Sequence, residues 1–95
     1  MTRLQIVTID LDGVHDKEEL HGRLAQALKF PDWYGRNWDA FWDAITGLVD
    51  MPEVLELHGW SAFSVAMPNE SNQLTELFGE MKEKYPRWAP RVIYR

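Results

Sequence analysis

Two aspartates, Asp39 and Asp43, stand four residues apart in a stretch that also holds Trp33, Trp38 and Trp42. On an α-helix that spacing sets the two carboxylates one above the other on a single face. Like charges so placed cost about 0.2–0.5 kcal/mol in an isolated helix. Asp39 falls in the first turn, where an acid suits the helix dipole. Asp43 lies past that turn, so helix formation gives no reason for it. Residues 30–52 carry four acids, Asp32, Asp39, Asp43 and Asp50, against one base, Arg36. A carboxylate matches a phosphate in charge and accepts paired hydrogen bonds from a guanidinium group. Aromatic rings beside it exclude water and strengthen each pair. The chemistry expected is recognition of a cationic partner, with no bond made or broken.

A second constellation is Ile9-Asp10-Leu11-Asp12-Gly13-Val14. It resembles the first motif of haloacid-dehalogenase-type phosphatases, in which a strand ends in Asp-x-Asp-Gly and the first aspartate attacks phosphate beside Mg²⁺. Such chemistry is sound for a carboxylate nucleophile. Those enzymes also need a larger doubly wound domain, a lysine and a further acid pair. Asp and Gly are equally ordinary turn residues. The histidines His15, His21 and His58 match none of the usual zinc-ligand spacings, so neither a metal nor a cofactor is expected.

The elements that must position these residues follow from periodicity. Leu4-Gln5-Ile6-Val7-Thr8-Ile9 is a β-rich first strand, and Asp10 to Gly13 is a turn. Asp16 is placed to cap a helix, with Glu19 three residues on. Leu20, Leu24 and Leu28, with Ala25 and Ala27, give that helix an apolar face through Leu28. Phe30-Pro31 ends it. Asn37 is placed to cap the second helix, with Gly47 near its end. There Trp38, Phe41, Trp42, Ile45 and Leu48 share one arc at about 100° per residue, and Trp38, Phe41 and Ile45 are expected in the core. Pro52 opens a second strand, Val54-Leu55-Glu56-Leu57. Ser61 is placed to cap a short helical turn between Gly59 and Ala66. Pro68-Asn69-Glu70-Ser71-Asn72 reads as a polar link. Leu74, Leu77, Phe78 and Met81 mark a helix from Ser71 to Lys84, whose alternating charges from Glu80 onward read as an exposed face. Pro86 and Pro90 bracket a loop before a last strand, Val92-Ile93-Tyr94. The order β-α-α-β-(α)-α-β implies an α/β fold: a small three-stranded parallel sheet with right-handed crossovers and packed helices.

The 95 residues are expected to form a single domain, 1–95. Hydrophobic content of 45% and charged content of 26% are those of a globular protein. With no cysteine there is neither a disulfide framework nor thiolate chemistry. No apolar run is long enough to cross a membrane, and the N-terminus lacks a signal-peptide pattern. A soluble, cytoplasmic protein is expected. The net charge of −5 disfavours nucleic-acid binding through phosphates and favours a basic partner.

The segment Pro31 to Gly47 resembles the barstar family, intracellular inhibitors of secreted bacterial ribonucleases. Pro31, Tyr34, Gly35, Asn37, Asp39, Ala40, Trp42, Asp43, Thr46 and Gly47 all fit that family's pattern. The likeness extends more loosely over the chain, through Leu20-His21 and Leu24, Pro52, and Phe78-Gly79-Glu80-Met81-Lys82. The resemblance implies a three-stranded parallel sheet and a surface that plugs a ribonuclease active site. Asp43 is implied to enter where an RNA phosphate would lie, against the enzyme's arginines and catalytic histidine. Asp39 is implied to pair at the rim, Trp33 to stack on that histidine, and Trp42 to flank the acids. Gly47, Leu48 and Val49 fall at the edge of the surface, and Glu80 matches a glutamate that adds a contact. A 1:1 complex with a basic, barnase-like ribonuclease follows, the inhibitor being a monomer when free. The resemblance also implies a cis Met51–Pro52 bond. Trp33 stands where tyrosine is usual, Leu48 where the family has an aromatic, and Arg36 adds a positive charge; these leave the target open. An immunity protein or regulator for a different basic toxin remains an alternative, as does a small Mg²⁺-dependent phosphatase using Asp10 and Asp12.

Overall fold

The computed structural model of the chain describes residues 5–95. Three strands, β1 (Ile6–Asp10), β2 (Val54–His58) and β3 (Arg91–Tyr94), form one parallel sheet in the order β1-β2-β3. The register pairs Val7 with Leu55 and Ile9 with Leu57 across one edge, and Leu55 with Val92 across the other. Alternation therefore gathers Val7, Ile9, Leu55, Leu57 and Val92 on the face that meets the core. Thr8, Glu56 and Ile93 line up on the opposite face. There the Glu56 carboxylate bonds the His58 ring at 2.8 Å and Arg95 at 3.2 Å. The hydrogen bond from His58, with Arg95 adding its charge, holds the Glu56 carboxyl below its ordinary pKa. Leu4, placed by the sequence at the head of the first strand, lies outside the described residues.

Helix α1 (Lys17–Leu28) begins where expected. The Asp16 carboxylate accepts from the Glu19 N–H at 2.7 Å, while the Glu19 side chain turns to Arg23, so only half of a capping box forms. Leu20, Leu24 and Leu28 are buried. Helix α2 (Trp38–Asp43) runs on into a wider π turn over Ala44–Leu48. Helix α3 spans Trp60–Ala66 and α4 spans Pro68–Lys84. Phe41, Phe63, Leu74, Phe78 and Met81 carry the helices' share of the core, with Phe41 edge-on to Phe78 at 5.8 Å. Among the described residues no helix is long and apolar enough to cross a membrane.

Three expectations are corrected. Ser61 does not cap α3. Gly59 does, at φ +72°, and a Cβ there would sit 2.8 Å from the Asp12 nitrogen, so the close approach of the two turns requires glycine. The stretch Pro68 to Asn72 is not a link but the first turn of α4. Proline fits the first helical position because its missing N–H has no helical partner to lose. Glu70 is buried there against Lys17 at 3.5 Å, and the Ser71 hydroxyl donates to the Pro68 carbonyl at 3.0 Å. The Met51–Pro52 bond is trans, as are the other peptide bonds among the described residues. Trans is the lower-energy form even before proline.

Candidate functional site

The site is built on the loop before α2, on α2 itself and on the turn after it. Lys29 leaves α1 in the left-handed region at φ 61°, and Phe30 folds into the core. Tyr34 is the loop's anchor. Its ring packs on Phe30 at 4.8 Å, and its hydroxyl lies 2.6 Å from Nδ1 of His21, a histidine buried on α1. Trp38 covers the same imidazole at 4.6 Å. Burial, reinforced by the Arg36 charge, pushes the His21 pKa down, and burial pushes the Tyr34 phenol up. Both groups are therefore held neutral. With Tyr34 turned inward, its neighbour Trp33 is turned out and stands 71% exposed.

Asn37 closes the loop by accepting from the Ala40 N–H at 2.8 Å, which starts α2 as the sequence implied. Phe41 and Ile45 are buried, Trp38 and Trp42 partly so. The opposite side of the helix carries Asp39 and Asp43, both exposed. Neither carboxylate has a hydrogen bond or ion pair among the described residues. Arg36, the lone base of the segment, points away from them. It adopts φ 52° and reaches Glu18 on α1 at 3.4 Å.

The π turn changes one prediction. The Thr46 hydroxyl donates to the Trp42 carbonyl at 2.6 Å, and the Val49 N–H bonds the Ala44 carbonyl at 3.2 Å, five residues back. The widened turn breaks the 100° periodicity that put Leu48 on the buried arc, and Leu48 stands 46% exposed. π turns are rare and often mark functional sites. Gly47 ends no helix in a left-handed conformation. It lies inside the turn and, with Thr46, Val49, Asp50 and Trp88, lines a cavity of about 220 Å³.

Glu80 comes to the same region from α4. It bonds Lys84 at 2.7 Å, and the Lys84 ammonium lies 5.9 Å from the centre of the Trp42 ring. Tyr85 follows at 6.3 Å from that ring. Thus Asp39, Trp42 and Asp43 on α2 run on into Gly47 and Leu48 in the π turn and Val49 just after it, and Glu80 is joined to them through Lys84. Trp33 stands apart on the preceding loop and makes no ring contact with them among the described residues. Sequence reasoning missed Lys84, Tyr85 and Trp88 as neighbours of the site. The Glu80–Lys84 spacing was legible as an i,i+4 pair, but nothing in the sequence aimed it at Trp42.

The other constellation serves the fold. The Asp10 carboxylate accepts from the Asp12 N–H at 2.9 Å, a local turn. Arg23 donates to the Asp10 and Asp12 carbonyls at 2.8 and 2.9 Å. Gly13 takes φ 79°. Among the described residues no three His, Asp or Glu side chains converge as metal ligands.

Comparison with protein families matches residues 4–93 to the family described as Barstar (barnase inhibitor). Among curated proteins, "Putative ribonuclease inhibitor YrdF" of Bacillus subtilis (strain 168) is 36% identical over 78 residues, which cover 82% of this chain and 86% of that protein. A match of this extent, on a three-stranded parallel sheet with the motif residues on α2 and its flanks, places the chain in the barstar family.

Proposed function

We propose that this protein inhibits a bacterial ribonuclease by occupying its active site with the α2 surface, as a binding protein and not as an enzyme. The family description and the name of the Bacillus subtilis relative support a ribonuclease inhibitor. The observation that carries the mechanism is the exposed pair Asp39 and Asp43, without a hydrogen bond or ion pair among the described residues.

An active site that binds RNA must attract phosphate, so it presents cations. Asp43, at mid-helix, takes the place of a phosphate and pairs with them; Asp39 pairs at the rim. Because neither carboxylate has a bond to another described residue, none of those bonds is lost when the complex forms. Trp33 projects from the loop as a stacking surface. Its position is preset by the buried Tyr34–His21 contact, which lowers the ordering cost of binding. Leu48, Val49 and Gly47 close the edge. Complementary charge speeds encounter, an effect weakened by salt. The complex is 1:1, the acidic surface of one chain filling one site.

A fluorogenic RNA-cleavage assay with barnase, titrated with this protein and with Asp43→Ala, tests the reading. Stoichiometric inhibition by the wild type that is lost in a folded variant supports it. Full inhibition by the variant sinks it. The exposed Trp33 and Leu48 favour a second reading at the same site, inhibition of a basic toxin other than barnase. A wild type that leaves barnase active while capturing another basic nuclease selects that reading.

A further inference from the structure

The acidic surface contains a cation of its own. Lys84 Nζ lies 2.7 Å from the Glu80 carboxylate and 5.9 Å from the centre of the Trp42 ring. A lysine in the last turn of α4 suits the helix dipole, but the dipole does not choose the direction of its side chain. Lys82 shares that turn and has no ion pair or ring contact among the described residues. Placed between α4 and α2, the Lys84 ammonium is bound on one side by a carboxylate and on the other by an aromatic ring, a cation–π arrangement. Asp39 and Asp43 have no equivalent companion. Their charge is available to a partner, whereas the charge of Glu80 is already engaged.

We infer that Lys84 is a specificity-determining residue: it masks Glu80 and turns the α4 edge of the binding surface into a neutral, paired patch. The inference rests on the inhibitor reading and deepens it. A target whose rim presents a cation opposite α4 must displace Lys84 or meet its repulsion. A target with a carboxylate there gains a partner. The protein thereby discriminates among ribonucleases whose phosphate-binding centres are alike but whose rims differ, which is selection by an unfavourable element as well as by a favourable one.

The test compares inhibition of barnase by wild type, Lys84→Met, Glu80→Gln and the double variant at low salt. Because the pair is exposed, the effects are modest. Lys84→Met is expected to tighten inhibition of this basic enzyme by about three- to fivefold. Glu80→Gln alone leaves the Lys84 charge unopposed and is expected to weaken inhibition by a similar factor. In the Lys84→Met background the same substitution should remove most of the gain. If Lys84→Met brings no gain, or if Glu80→Gln leaves inhibition of barnase undiminished, the inference is overturned. A second arm needs no target. The bond from Glu80 raises the Lys84 pKa, so the side-chain titration of Lys84, followed by NMR, should move down in Glu80→Gln. An unchanged titration shows that the pair is not formed and also overturns the inference. A wild type that fails to inhibit barnase counts against the inhibitor reading instead, and the NMR arm then decides whether Lys84 masks Glu80.

Discussion

Acids are used in two ways in this molecule. On α1, α4 and the outer sheet face, glutamates hold cations: Glu18 holds Arg36, Glu19 holds Arg23, Glu56 holds Arg95, and Glu70 holds Lys17. On α2, Asp39 and Asp43 hold no cation among the described residues, and the base of their own segment, Arg36, is drawn off to α1. Acids without an ion pair among the described residues occur elsewhere too, Glu76 among them. What sets α2 apart is that its acids lie beside the half-buried Trp42, between a loop that presents the exposed Trp33 and a π turn that presents the exposed Leu48. The difference teaches that charge alone does not mark a binding surface. Charge left uncompensated beside rigidly placed apolar groups does.

The sharpest way to break that contrast is to exchange variants between the two regions. Asp43→Ala should cost about 2–5 kcal/mol of binding to the target, the range for removing one partner of a buried charge pair, for which barnase–barstar itself is a measured case. Its thermal unfolding should match the wild type, because the side chain is exposed and has no partner among the described residues. Loss of folding would make Asp43 structural and erase the contrast. Trp33→Ala should follow with roughly 1–3 kcal/mol of binding, the scale of an interface aromatic, again without a stability loss; calorimetric titration and a melt measure the two sides.

On the structural side, Asp16→Ala should cost about 1 kcal/mol of stability through the lost cap, and leave inhibition unchanged. Denaturant unfolding beside the cleavage assay reads both. The smallest effect expected is one of pH. His21 has a lowered pKa in the folded state, so the unfolded chain binds its proton more readily. Stability is then fully present above the unfolded histidine pKa of about 6.5 and falls as pH drops below it. The groups facing His21 are Arg36 and Lys17, which oppose its charging, and Glu70 and Glu18, which favour it. Unfolding midpoints at neutral and mildly acidic pH should differ more in the wild type than in His21→Asn. An equal slope in both would assign the pH dependence to other groups.

Much of this was legible in the sequence. Periodicity placed α1 and the strands within a residue or two, and Asp16 and Asn37 cap the helices they were expected to cap. Local rules failed where one residue type serves two purposes. Pro68 reads as a breaker unless it is known to occupy the first turn. Ser61 was the better cap by composition, but the contact with Asp12 left room only for Gly59. The exposure of Leu48 could not be read because a π turn has no period visible in so short a run. At the site, the acids and tryptophans were legible as a group through their spacing. Lys84 was not, because its contact with Trp42 depends on how α4 crosses α2, and the sequence carries packing only through the finished fold.

Occupation of the RNA-phosphate site of a ribonuclease by the α2 surface, as proposed, is open to direct test. The most direct measurement is binding of this protein to barnase in the presence of a non-cleavable dinucleotide held in the enzyme's active site. Mutual exclusion is expected: the apparent Kd rises in proportion to dinucleotide concentration. A ternary complex, with Kd unchanged at saturating dinucleotide, would contradict it.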